Sequence, residues 1–235
     1  MRPIKRRHLV ELGDLPWWPR GWRGTATDYL VTALHFARVY NGLAPRLAAA
    51  VKHCGSTRIV DLCSGGGGPW PDLLPALRAA GVDRPVCLTD KYPNAAALSR
   101  LAATTPGLHF EPASVDATAV PARLAGSRTL FTGFHHFRPA EACALLAAAV
   151  RDRQGIAVAE ASSRSWAALQ LLVPLAVLAM TPAIRPFRWS RLFWTYAVPV
   201  LPVAILFDGV VWTLRVYTPA EMLAMGQEVG GDAYD

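Results

Sequence analysis

Ile59 to Trp70 reads IVDLCSGGGGPW. A short β-branched run carries Asp61, then Gly65, Gly66, Gly67 and Gly68 follow, and Pro69 leads into a helix-like segment. A strand that stops at glycines and re-enters as a helix brings bare backbone up to a ligand. Glycine allows φ > 0 and has no Cβ to block that approach. A run of four exceeds what an ordinary turn requires, but a glycine turn alone does not name its ligand.

Acids at regular places narrow the reading. The next apolar run, Val86 to Thr89, ends at Asp90, 23 residues past Gly67. That is the position from which a Rossmann-type site holds ribose hydroxyls. Asp116 follows another short apolar segment, and Arg128 to Thr132 leads into the pair His135-His136. Each polar group falls at the carboxyl end of an expected strand, the edge at which open α/β sheets bind ligands.

This pattern resembles the class I S-adenosylmethionine-dependent methyltransferases across about Ser56 to Ser162. Asp61-Leu62-Cys63-Ser64-Gly65-Gly66-Gly67 looks like their first motif, with Cys63 and Ser64 where Gly and Cys are more usual. The resemblance implies S-adenosyl-L-methionine as cofactor. Asp61 would orient the glycine turn or meet the cofactor's ammonium. Asp90 would take the ribose hydroxyls and Asp116 the adenine amino group, with Leu88, Tyr92 and Val115 flanking the base. Lys91, Ala117, Gly133 and Phe134 complete the implied cofactor-binding set. Phe134-His135-His136-Phe137 is similar to the segment that faces the methyl group. A bulky residue at Gly67 is expected to block the cofactor and leave the fold intact.

A histidine suits proton transfer at neutral pH, so His135 and His136 are the candidate general bases for an oxygen or nitrogen acceptor. Such a pair also serves to brace a loop. Tyr29, on the N-terminal helix, and Glu160, at the end of the fifth strand, are the candidate substrate contacts. Glu160 could equally cap the next segment. His35, His53 and His109 stand alone, and no metal site is expected.

Alternation predicts the strands Arg58–Leu62, Val86–Thr89, His109–Glu111, Arg128–Thr132 and Ile156–Glu160. The helices between them are Pro71–Ala80, Asn94–Ala103 and Pro139–Arg151. The expected fold is α/β and Rossmann-like, a mostly parallel sheet with helices on both faces. A helix from about Thr27 to Lys52 precedes it, with one apolar face. Thr218-Pro219-Ala220-Glu221 starts a helix to about Met225. Gly226 to Asp235 is too short for the antiparallel hairpin that ends the family's sheet, so five parallel strands are expected. The fifth would be an apolar edge, open to a covering helix or to oligomerisation through a second copy.

Four regions follow: an N-terminal arm and capping helix (1–55), a cofactor-binding core (56–163), an apolar helical insertion (164–216) and a C-terminal helix with a short tail (217–235). The insertion has no charged residue across the 18 positions from Ala167 to Ile184, nor across the 16 from Leu192 to Phe207. A bilayer span needs about 20 apolar residues. The Arg- and Trp-bearing link Arg185–Arg191 also fits contact with a membrane surface. Arg185, Arg188 and Arg191 are the expected contacts to anionic headgroups. A helical hairpin closing over the site as a lid, and ordinary core helices, are the alternatives.

The net charge is +7, carried by 21 Arg and 3 Lys. Arg2, Lys5, Arg6 and Arg7 form a short basic tail, and no basic stripe with aromatic platforms speaks for nucleic acid. The N-terminus lacks an apolar secretory core, and the four scattered cysteines form no C-x-x-C pair. A cytoplasmic location, at the inner face of the membrane, is expected. The reading is methyl transfer to an O or N atom (or C) of a lipophilic small molecule. Alternatives are an NAD(P)-dependent oxidoreductase and a non-catalytic, membrane-associated protein that binds the cofactor. The first is disfavoured because the glycines lack G-x-G-x-x-G spacing.

Overall fold

The computed structural model describes residues 4–231; Arg2 of the basic tail and the last four residues of the C-terminal tail lie outside them. The helices in chain order are α1 (Arg20–Phe36), α2 (Ala44–His53), α3 (Trp70–Ala79), α4 (Ala95–Thr104), α5 (Pro139–Arg151), α6 (Val173–Met180), α7 (Trp189–Leu192), α8 (Val200–Arg215) and α9 (Pro219–Gly230). The strands are β1 (Ile59–Leu62), β2 (Val86–Leu88), β3 (Leu108–Phe110), β4 (Ser127–Phe131) and β5 (Ile156–Ala159). The chain divides into two compact units. One is helical, built from 1–37 and 162–218; the other is α/β, built from 38–161 and 219–235.

In the α/β unit the five strands form one sheet in the order β3-β2-β1-β4-β5. Every pairing is parallel, with Asp61 opposite Leu88 on one side and Thr129 on the other. This is a Rossmann-like sheet. Each strand starts and stops within one residue of its sequence reading. β1 and β4 are buried along their whole length, as central parallel strands should be. The chain runs outward from β1 to β3, then returns to β4. The switch point therefore lies between the carboxyl ends of β1 and β4, where such sheets take their ligands.

The helices around the sheet follow from their sequence. α3 has a proline in its first turn, Asp72 near its positive end and Arg78 near its negative end, each favourable where it stands. Its buried residues Trp70, Leu73, Leu74 and Leu77 fall on one face. The Asn94 side chain accepts the Ala97 N–H at 3.2 Å. It thereby caps α4. Glu141 accepts the Arg138 N–H at 2.7 Å at the start of α5. α9 packs on α5 and runs to Gly230, past the expected end near Met225.

The expected continuous helix from Thr27 to Lys52 is two helices. α1 ends at Phe36, Arg38 sits at φ +48°, and α2 restarts with Pro45 in its first turn. Arg38 in the left-handed region and the turn chemistry of Tyr40-Asn41-Gly42 end the helix ahead of α2, in which Ala44 is already helical before Pro45. The two pieces also part company: α1 belongs to the helical unit and α2 to the α/β unit.

In the helical unit, Tyr29 of α1 packs with Val177 and Ile184, flanked by Ala33, Met180 and Ile205. Arg164–Ala183 is a continuous 20-residue helix with mean hydropathy 1.7 over its most apolar window, long and apolar enough to cross a membrane. Its first turns are 3-10 and it passes into α6. The second apolar run is not one helix. Trp189–Ala197 and Val200–Arg215 meet at 81°. Val198 between them is extended, at φ −128°. Pro199 imposes that conformation on the residue before it and removes an N–H, which makes the bend. An apolar groove of about 470 Å³ opens there, lined by Leu12, Trp18, Val198, Val203 and Phe207 among others.

The N-terminal arm is fastened to α8 by polar contacts. Asp208 accepts the N–H groups of Leu12 (2.6 Å) and Gly13 (3.2 Å), and Arg215 reaches Glu11 (3.1 Å) and Asp14 (2.6 Å). Arg191 does not face outward. It is 2% exposed, donates to the carbonyls of Ile184 and Pro186, and pairs with Asp28 at 2.6 Å. Its expected contact with headgroups is thereby overturned, because the chain around the link uses the guanidinium to satisfy its own carbonyls.

Candidate functional site

The turn after β1 is held by side chains rather than by its glycines alone. Ser64 Oγ donates to Asp61 Oδ2 at 2.7 Å and accepts the Thr89 N–H at 3.2 Å. Thr129 Oγ1 donates to Asp61 Oδ1 at 2.7 Å. Asp61 is 1% exposed, and burial lifts its pKa from 3.8 to about 6 against the pull of these hydrogen bonds, since burial disfavours the charged form. Of the two roles considered for Asp61, its contacts match orienting the turn.

The four glycines divide by what surrounds them. Gly65 lies at φ +50° with nothing within 4 Å of where a Cβ would stand. Gly67 lies at φ +103°, and a Cβ there would come within 2.1 Å of the Leu101 side chain. Gly67 is buried against α4, so a bulky residue at this position strikes the fold first. The expectation that it would spare the fold is corrected, and Gly65 is the glycine open for a ligand to approach. Gly67 N–H donates to Ser64 O at 2.7 Å, which closes the turn between them. Cys63 adopts φ +55°. That conformation is costly for a residue with a side chain. Burial, with Asp90 and Asp61 nearby, pushes its thiol up to about 12, so it is no nucleophile.

Asp90, after β2, grips the same turn. Its Oδ2 accepts the Gly65 N–H at 2.9 Å, and its Oδ1 accepts the Tyr92 N–H at 2.8 Å. Val115 is buried beside it, with its N–H on Asp90 O at 2.9 Å. Asp116 accepts the Thr118 Oγ1–H (2.7 Å) and N–H (2.9 Å) and pairs with Lys91 Nζ at 3.0 Å. These bonds, those of Thr118 first, hold its carboxyl down at about 2. Tyr92 is exposed, whereas Ala117 is buried.

The end of β4 meets the end of β1. A Cβ on Gly133 would lie 3.4 Å from that of Cys63 and 3.1 Å from Leu130, so glycine lets the two turns touch. Phe134 is fully buried and supports the turn from within. His135 is 2% exposed. Its Nδ1 lies 3.0 Å from Glu160 Oε2, and its backbone N–H donates to Glu160 Oε1 at 3.0 Å. A carboxylate at Nδ1 fixes the proton there and makes Nε2 the basic nitrogen. His136 is exposed, its ring 4.2 Å from that of His135. The Glu160 carboxylate thus orients the histidine.

Two residues here were not foreseen. Thr132, at φ +48°, is hydrogen-bonded through Oγ1 to the Tyr40 hydroxyl. Tyr40 is 8% exposed, with its ring edge on Phe131 at 5.2 Å. Burial, reinforced by the charges of Glu160 and Asp61, pushes its hydroxyl well above the usual range, so it stays protonated. The signal for Tyr40 was the Tyr-Asn-Gly helix break. Tyr29, by contrast, lies in the core of the helical unit, where burial raises its pKa. No protein-family model matches the sequence, and no curated protein matches it either.

Proposed function

We infer that the α/β unit transfers a methyl group from S-adenosylmethionine to an oxygen or nitrogen of a lipophilic acceptor, with His135 as general base. The observation that carries this reading is the open, side-chain-braced backbone at Gly65 after β1, with the buried His135–Glu160 pair formed by the turns after β4 and β5. The residues fit the cofactor. Gly65 offers bare backbone for its amino-acid part. Both oxygens of Asp90 retain a second lone pair for the ribose hydroxyls, and Asp116 keeps one on Oδ2 for the adenine amino group, its Oδ1 being taken by the two Thr118 bonds. Leu88 and Val115 supply apolar flanks.

When bound, S-adenosylmethionine supplies an electrophilic methyl group on a positive sulfur. The chain's part is placement and proton transfer. His135 Nε2 takes the proton of the acceptor's O–H or N–H. Glu160 holds Nδ1–H and stabilises the imidazolium that results. The Tyr40 hydroxyl, kept protonated, braces the turn between them through Thr132.

Calorimetric titration of the intact chain with S-adenosylmethionine and with NADH tests the reading. Heat is expected with the first and none with the second. Gly65→Val should abolish that heat. Asp90→Ala should weaken binding about 10- to 100-fold, the loss of one hydrogen bond to a charged group. Binding of NADH instead would make the oxidoreductase the better reading.

A further inference from the structure

The helical unit leaves a large apolar surface uncovered. Of the most apolar window of Arg164–Ala183, only 11% is buried. Leu171, Leu172 and Leu175 are 68%, 58% and 64% exposed. Isolated exposed leucines are ordinary, but a run of them along one helix marks an interaction surface. Beyond Ile184 the link carries exposed Arg185 and Arg188 together with Trp189, which is 78% exposed. Arginine and tryptophan beside an apolar helix are what a lipid headgroup region accommodates: indole at the interface, guanidinium on phosphate.

The same unit argues against a spanning hairpin. α8 would be the second limb, yet its C-terminal half is lined by Asp208 and Arg215 and by the arm that binds them through Glu11 and Asp14. Charged groups at bilayer depth are costly, and a crossing α8 would carry Asp208, Arg215 and the acids of the arm that covers them with it. A helix lying in the plane of one leaflet satisfies both observations.

We propose that the helical unit seats the protein on an anionic membrane surface, with Arg164–Ala183 in the plane of one leaflet and Arg185 and Arg188 on the headgroups. The positive link selects anionic lipid over a second copy of the chain, whose matching face would bring the same arginines together. This seating does not depend on the chemistry proposed for the α/β unit.

The test is co-sedimentation of the intact protein with vesicles of phosphatidylcholine, alone or mixed with phosphatidylglycerol. Binding is expected to require phosphatidylglycerol. Replacing Arg185 and Arg188 by alanine should weaken it about 25-fold, at about fivefold per arginine. Leu172→Glu with Leu175→Glu should abolish it, while the melting midpoint without lipid stays that of wild type, since both side chains face outward. Lipids brominated near the headgroup should quench tryptophan fluorescence more than lipids brominated near the chain ends. Absence of binding, or equal quenching at both depths, overturns the proposal. So does a dimer in lipid-free buffer that Leu175→Glu dissociates, which would assign the face to a second copy.

Discussion

Near each end of β4 a buried basic side chain meets a carboxylate. At the amino end Arg128, 2% exposed, meets Asp152 at 2.6 Å. Past the carboxyl end His135 meets Glu160 at 3.0 Å, with both side chains 3% exposed. The first pair cannot exchange a proton at neutral pH, because a guanidinium does not release one. The second contains the one side chain whose charge changes there. Backbone follows the same division. Among the described residues, Cys63 and Thr132 hold positive φ without being glycine at the carboxyl ends of the two central strands. Such strain persists where the surroundings over-determine it, and it gathers at sites that act on ligands. One end of the strand is built to stay as it is; the other holds groups able to change.

That contrast breaks most readily at His135. The change to alanine is expected to leave S-adenosylmethionine affinity intact and lower the proposed methyl transfer roughly 10²–10⁴-fold. The loss should shrink as pH rises and the acceptor ionises unaided, which a pH–rate profile measures. Near-normal turnover at neutral pH would give both ends a purely structural pair.

Asp61 sharpens the contrast through pH. Its native pKa, about 6, stands above the ordinary 3.8, so between those values the native state binds the extra proton. Stability from this group is therefore full below about pH 4 and is lost as pH rises through about 6, by about 3 kcal/mol at most. Asp61→Asn removes that titration. Urea midpoints should shift in the variant's favour, relative to wild type, as pH climbs from about 4 to about 7. A constant difference would mean that Asp61 titrates alike in both states.

At the other end, Asp152→Ala is expected to cost about 2 kcal/mol, less than a fully buried pair because Asp152 keeps some exposure. Nε and Nη1 of Arg128 already have no hydrogen-bond partner among the described residues, so the stranded guanidinium carries the loss. Replacing Arg128 by Met in the same chain should recover most of it, with cofactor affinity unchanged throughout. The smallest effect belongs to Cys63→Gly. It relieves a left-handed backbone conformation. The melting midpoint should rise slightly, for a gain of less than about 1 kcal/mol.

Much of the sheet was legible in the sequence because its signals are local. β1 and β4 are short apolar runs that stop at glycine or threonine turns, and their polar ends are neighbours by topology. What stayed hidden depends on partners distant in sequence. Nothing near Tyr40 announces Thr132, 92 residues on, and nothing near Arg191 announces Asp28. Gly65 and Gly67 look alike in sequence and differ only because Leu101 packs against one of them. The break after α1 was written in Tyr40-Asn41-Gly42, but the apolar period of the flanking helices masked it.

The helical unit is assembled from two stretches, 1–37 and 162–218, with most of the α/β unit threaded between them. On the ribosome this arrangement becomes a delay. Synthesis adds on the order of ten amino acids each second, so α1 waits about twenty seconds before the last of its partners emerges. Tyr29 has neither Val177 nor Ile184 to pack against for most of that interval, while the five strands acquire all their neighbours. The order of assembly is thus set by translation: sheet first, helical unit afterwards, with a tryptophan-rich leading segment kept waiting in solution or in the hands of a chaperone.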